Sequence, residues 1–114
     1  MSESQGCKYT PKTKEELEKL VRDSKVYLGD IDTSYITDMS NLFMCSKRMD
    51  FSGIEKWDVS NVTNMKCMFY GAESFNQSLE SWNVCSVRNF KSMFAKSAQK
   101  ILPHWYAKLN WILQ

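Results

Sequence analysis

Trp57-Asp58-Val59-Ser60-Asn61-Val62-Thr63-Asn64-Met65-Lys66-Cys67-Met68-Phe69 decides how this chain is read, because a version of it occurs three times. Residues 31–43 read IDTSYITDMSNLF, residues 57–69 WDVSNVTNMKCMF and residues 82–94 WNVCSVRNFKSMF, at offsets of 26 and then 25. The first two blocks agree at 5 of 13 positions and the last two at 7 of 13, far above chance. A period in the twenties signals a chain of units that each bury an apolar face only against their neighbours.

The aligned columns are apolar where a core is needed. They are Leu28, Ile54 and Leu79; Ile31, Trp57 and Trp82; Ile36, Val62 and Val87; Met39, Met65 and Phe90; Leu42, Met68 and Met93; Phe43, Phe69 and Phe94. An aromatic stripe can also serve as a sugar or base platform, but a stripe at the repeat spacing is read as core. Within each unit, Trp57, Val59 and Val62 suit a short extended segment. Asp38, Asn64 and Asn89 follow as N-cap types. Apolar residues then fall at i, i+3 and i+4, as in Met65, Met68 and Phe69, which predicts one face of a helical turn. Gly71 suits the left-handed end of that turn, and Glu73–Ser78 reads as a return loop.

The expected fold class is therefore α/β, a short leucine-rich-repeat-like solenoid of about three repeats with an N-terminal and a C-terminal capping helix. Thr13-x-x-Glu16 is a capping box, and Leu17, Leu20 and Val21 make one stripe, so a helix is expected over 13–24 and a strand near Val26–Leu28. Pro103 suits a first helical turn, and Trp105, Leu109 and Ile112 follow at helical spacing. Residues 1–10 are expected to be a disordered tail. Residues 11–114 form one domain: an N-terminal cap over 11–30, repeats over 31–56, 57–81 and 82–100, and a C-terminal cap over 101–114.

The string Trp57–Met65, with Met68-Phe69-Tyr70-Gly71-Ala72 and Ser74-Phe75-Asn76-Gln77-Ser78-Leu79, resembles the repeat of the BspA-like bacterial surface proteins, a leucine-rich-repeat class abundant as mycoplasma-type lipoproteins. The match is specific in the middle repeat. It is looser around Met49–Gly53, and it stops after Phe94, where Ala95–Leu102 lacks the S-F-N-Q stretch. The resemblance covers residues 12–100 and implies a solenoid and, in long secreted members, adhesion or host-protein binding at the cell surface. It carries over no catalytic residue.

Composition sets the outer bounds. The 114 residues are 43% apolar and 25% charged, with 4 Trp, 5 Tyr and 6 Phe, which suits one folded domain. No apolar run reaches the ~20 residues of a membrane span. No secretory leader is visible, so a cytoplasmic location is expected. Net charge is +2, too small to predict a polyanionic partner, yet it runs from −3 over residues 26–60 to +4 over 61–114. Cys7, Cys45, Cys67 and Cys85 form no C-x-x-C pair, and His104 is the one histidine. A zinc site is not expected, and the thiols are read as free and buried or half-buried.

Catalytic fingerprints are absent, and no cofactor or metal is expected. Cys85 replaces Ser60 of the preceding repeat and has no His in its column to activate it. Asp32, Asp58 and Asn83 could share a cation, but turn chemistry is the favoured reading. Asn61-Val62-Thr63 and Asn76-Gln77-Ser78 match the glycosylation sequon, which matters only in a secretory setting. The expected function is a non-catalytic protein-interaction module with a protein partner, as a monomer or weak homo-oligomer. The runner-up is a nucleic-acid-binding accessory domain using Lys91, Lys96, Lys100 and Lys108 beside exposed aromatics. Residues 101–114 are expected to be a lid on the last repeat; were they free instead, Trp105 and Trp111 would be the first residues to test for partner binding.

Overall fold

The computed structural model describes residues 7–106. The chain opens with a paired segment. Tyr9 N–H donates to the Asp30 carbonyl at 3.1 Å, and Asp32 N–H donates to the Tyr9 carbonyl at 2.8 Å. Ordered pairing thus begins within the stretch read as a tail. Helix α1 (Lys14–Arg22) follows, with Thr13 as N-cap and its capping box closed in both directions. Leu17 and Val21 are its buried face, and the acidic first turn and basic last turn complement its dipole.

After α1 the chain runs as three stacked coils. The segments 38–46, 64–72 and 89–97 lie side by side and in register. Met39, Asn41, Phe43 and Cys45 donate their N–H groups to the carbonyls of Asn64, Lys66, Met68 and Tyr70, at 2.7–2.9 Å. Met65, Cys67, Phe69 and Gly71 repeat this onto Asn89, Lys91, Met93 and Ala95. The intervening amides close local turns: Leu42, Met44 and Ser46 donate to the carbonyls three residues back, and so do Met68, Tyr70 and Ala72. Every second N–H therefore points along the stack and its neighbour points back into its own coil.

The alternation requires left-handed residues at fixed places. Asn41, Cys67 and Ser92 have φ of 59°, 55° and 58°; Cys45, Gly71 and Lys96 have 56°, 68° and 60°. Each non-glycine in this conformation costs ~1–2 kcal/mol. The inter-coil bonds and the buried rings offset that cost.

The expected α/β leucine-rich-repeat-like solenoid with two capping helices is overturned. Among the described residues no strand forms, only isolated parallel bridges at Tyr9–Ile31, Asp38–Asn64 and Asn64–Asn89. Among the same residues helical structure is α1, single 3-10 turns at Leu28–Asp30 and Ile54–Lys56, and residues 104–106. The predicted helical turns fail because their left-handed residues send amides to the next coil rather than four residues back. The predicted strand near Val26–Leu28 fails too. Leu28 opens a 3-10 turn that swings its carbonyl onto the Trp57 indole. Of the C-terminal cap, Leu109, Trp111 and Ile112 lie outside the described residues.

The core is a set of ladders at the predicted columns. Phe43, Phe69 and Phe94 stack with centroids 5.5 and 5.7 Å apart and planes within 6°. Phe75 lies flat on Phe69 at 3.8 Å. The indole N–H of Trp57 donates to the Leu28 carbonyl (2.7 Å), that of Trp82 to Ile54 (3.1 Å) and that of Trp105 to Leu79 (2.8 Å). Trp105 thus repeats the role of the two earlier tryptophans and stacks on Trp82 at 6.5 Å. Gly53 lets the coils close up: it sits at φ 92°, and a Cβ there would lie 2.5 Å from the Gly29 nitrogen.

Each turn segment opens on an Asx turn. The Oδ1 atoms of Asp38, Asn64 and Asn89 accept from the N–H two residues on, at 2.8–3.1 Å. These are the residues read as helix N-caps, and they cap a run of turns instead. Asn64→Ala is expected to cost about 1 kcal/mol, whereas Asn64→Asp, which copies Asp38, costs little. Urea denaturation checks this, and equal losses would exclude the Asx role.

Candidate functional site

What the stack presents to solvent is the outward side of its turn segments. The inward residues Met39, Leu42 and Phe43 and their equivalents are buried. Between them lie four outward columns, Ser40/Lys66/Lys91, Asn41/Cys67/Ser92, Met44/Tyr70/Ala95 and Cys45/Gly71/Lys96, of which Ser40 alone is buried, with Lys14 bonded to it. Met44 is 48% exposed and Tyr70 is half-buried, with the Lys96 ammonium 5.8 Å from its ring centre. The backbone ladder beneath fixes the spacing of these side chains, so the edge is a rigid mixed surface of methionine, tyrosine and lysine.

Lys14 anchors α1 to this edge. Its Nζ donates to Ser40 Oγ at 2.9 Å and lies 3.7 Å from Asp38. Burial would raise the Asp38 pKa, but the bonds from Ser40 and Lys14 outweigh it and hold the carboxyl below its usual 3.8. Asp58 and Asp50 are also lowered, each first by the hydroxyl of the serine two residues on. Glu80 is lowered by its side-chain bond to His104 and also accepts from the His104 backbone N–H at 3.0 Å. A carboxyl lowered by folding adds stability that is fully present above its unfolded value and is lost as pH falls through the folded one. The melting temperature is therefore expected to fall as pH drops below the usual 4.5 of Glu and 3.8 of Asp. Asp58→Asn should flatten that fall, which thermal melts across the acid range will read.

Two grooves open on the surface, the first of them beside the edge. One, of about 380 Å³, lies between the end of α1 (Val21, Arg22, Ser24) and residues 41–48. Arg48 forms its wall and is 9% exposed. Its guanidinium donates to the carbonyls of Val21, Asp23, Val26 and Asp50, so it serves the fold and is not presented to a ligand. The second, of about 310 Å³, runs between residues 76–80 and Gln99–Ile101. There Gln99 bonds both ways with the Gln77 backbone, at 2.9 and 2.8 Å.

The residues singled out from sequence are dispersed. Asp32, Asp58 and Asn83 each accept from their own i+2 amide at 3.0–3.1 Å, as turn chemistry predicts. Cys7, Cys45 and Cys85 are exposed and Cys67 half-buried, so the thiols are more open than expected. Lys91 and Lys96 stand at opposite ends of the last turn segment. Lys100 lies in the return loop, with its N–H on Asn76, and Lys108 lies outside the described residues. His104 is at the surface on Glu80. Among the described residues no group of His, Cys, Asp and Glu could hold a metal ion, and no helix is long and apolar enough to cross a membrane.

Sequence reading missed Arg48, the Lys14–Ser40 tie and the rung made by Trp105. Only the last left a signal, a Trp 23 residues after Trp82.

The model of the family described as "Mycoplasma protein of unknown function, DUF285" matches residues 15–108. No curated protein and no solved structure matches the chain.

Proposed function

The chain belongs to the DUF285 family, and on that premise we propose that it works as a non-catalytic protein-interaction module whose partner docks on the outward edge of the turn segments. The observation that carries this reading is the placement of Met44 and Tyr70 in one outward column on a backbone held by inter-coil hydrogen bonds. Methionine adapts to varied partner shapes, and a half-buried tyrosine supplies contact area at little entropic cost. A rigid support keeps the ordering cost of binding low. The likeness of the repeat to that of the BspA-like surface proteins supports a protein as the partner class.

The test is capture. The full chain is immobilised, proteins retained from the source cell are identified by mass spectrometry, and the Met44→Ser/Tyr70→Ser variant is run beside it. The reading expects proteins held by the parent chain and lost by the variant. Capture of nothing by the parent, or of the same set by both, overturns it.

A further inference from the structure

We propose that the margin of this edge carrying Lys14, Lys66 and Lys91 docks an acidic segment of the partner protein, a stretch of extended chain with carboxylates along one face. The proposal rests on the interaction reading above. Lys66 and Lys91 stand on consecutive rungs, and Lys14 reaches the first rung from α1. Lys66 and Lys91 are equivalent, exposed residues of the second and third repeats, and Cys67 N–H donates to the Lys91 carbonyl at 3.0 Å, so their backbones are neighbours. In the first repeat the position is Ser40, and there α1 supplies the charge: Lys14 Nζ sits 2.9 Å from Ser40 Oγ. A cation that the first repeat lacks is restored from a different element.

Adjacent hydrogen-bonded rungs lie ~4.8 Å apart, and like charges side by side disfavour the folded state. Asp38 relieves Lys14 at 3.7 Å, but among the described residues no carboxylate pairs with Lys66 or Lys91. After residue 60 the only acidic side chains are Glu73 and Glu80. Glu73 is engaged with Lys47 at 3.4 Å and Glu80 with His104. Among the described residues Lys66, Arg88, Lys91, Lys96 and Lys100 form no ion pair. Asp38 answers Lys14, whereas the same column carries neutral Asn64 and Asn89 beside Lys66 and Lys91. Among the described residues Lys66 and Lys91 are thus left without an acidic neighbour, and charge complementarity favours a partner that brings carboxylates to them.

The geometry favours a peptide over a nucleic acid. Side chains on one face of an extended segment repeat every ~6.6 Å, within reach of flexible lysines on neighbouring rungs. A nucleic-acid strand needs open aromatic faces beside its cations. The residues flanking Lys66 and Lys91 on the outward side are Asn64, Cys67, Asn89 and Ser92, and the Tyr70 ring lies under Lys96.

Binding of fluorescent decaglutamate and of decathymidylate to the full chain, followed by anisotropy, tests this. The ladder variant is Lys66→Gln/Lys91→Gln. The charge-matched control is Lys19→Gln/Lys25→Gln, at exposed positions on and just after α1. The expected result is salt-sensitive binding of decaglutamate, weakened about tenfold in the ladder variant and little changed in the control. Absence of decaglutamate binding, equal losses in the two variants, or tighter binding of the oligonucleotide overturns the proposal. If the ladder variant keeps every protein that the parent chain captures, the ladder assignment alone falls; if the parent captures none, the interaction reading falls with it.

Discussion

Phe69→Ala is expected to lower the unfolding free energy by about 3–5 kcal/mol, the range for truncating a fully buried aromatic. Phe69 is 0% exposed and is the middle ring of the ladder, between Phe43 and Phe94, with Phe75 stacked on its face. Removing it opens a cavity bordered by four other aromatics, Trp82 among them, on a backbone held from both sides by inter-coil bonds, which limits how far the site can collapse to fill it. A domain of this size has a total stability of about 5–15 kcal/mol, so the variant is expected to be partly unfolded near physiological temperature. Phe69→Leu keeps most of the volume and should recover more than half of the loss. Chemical denaturation reads both variants, and a loss below about 1 kcal/mol for Phe69→Ala would remove the ladder from its place at the centre of stability.

Arg48→Ala should rank beside it, at about 3–5 kcal/mol. One guanidinium satisfies the carbonyls of Val21, Asp23, Val26 and Asp50, which closes the end of α1, the connection after it and its own loop around a single cation. Burial disfavours the charged form and lowers the Arg48 pKa, yet arginine still remains protonated. Arg48→Lys keeps the charge but not the planar fork of donors, and it is expected to recover less than half of the loss. Amide hydrogen exchange supplies the second readout: the amides of α1 should exchange faster in Arg48→Ala, while those of residues 89–97 change less. Uniform acceleration along the chain would mean that Arg48 stabilises the whole stack rather than the first junction.

Much of the core was legible because burial in a repeat is dictated by identity at matched positions. Leu28, Ile54 and Leu79, or Phe43, Phe69 and Phe94, are apolar at one spacing, and stacking the repeats buries them all. The capping box of α1 was legible for a local reason: Thr13 and Glu16 satisfy amides within one turn of themselves. The candidate site was legible only as composition. Lys66 and Lys91 stand out as a matched pair in the alignment, but Lys14 joins them only through contact with Ser40, 26 residues away.

The backbone path was decided by tertiary structure alone. Apolar residues at i, i+3 and i+4 fit a helical turn, and they fit equally a run of turns with left-handed residues at Asn41 and Cys45, because both put Met39, Leu42 and Phe43 on one side. The two paths differ in where the amides go, four residues back in one case and about 25 residues ahead in the other. That choice depends on a neighbouring coil with carbonyls at the right spacing, which no local pattern encodes. Arg48 follows the same logic: its partners are carbonyls, which every residue has, so nothing in the side-chain sequence marks the four that converge on it. The sequence by itself thus determined which residues are buried and how often they recur. The contact between coils determined that the recurring unit is a ladder of turns, because hydrogen bonds across the stack outweigh the cost of the left-handed residues that aim them.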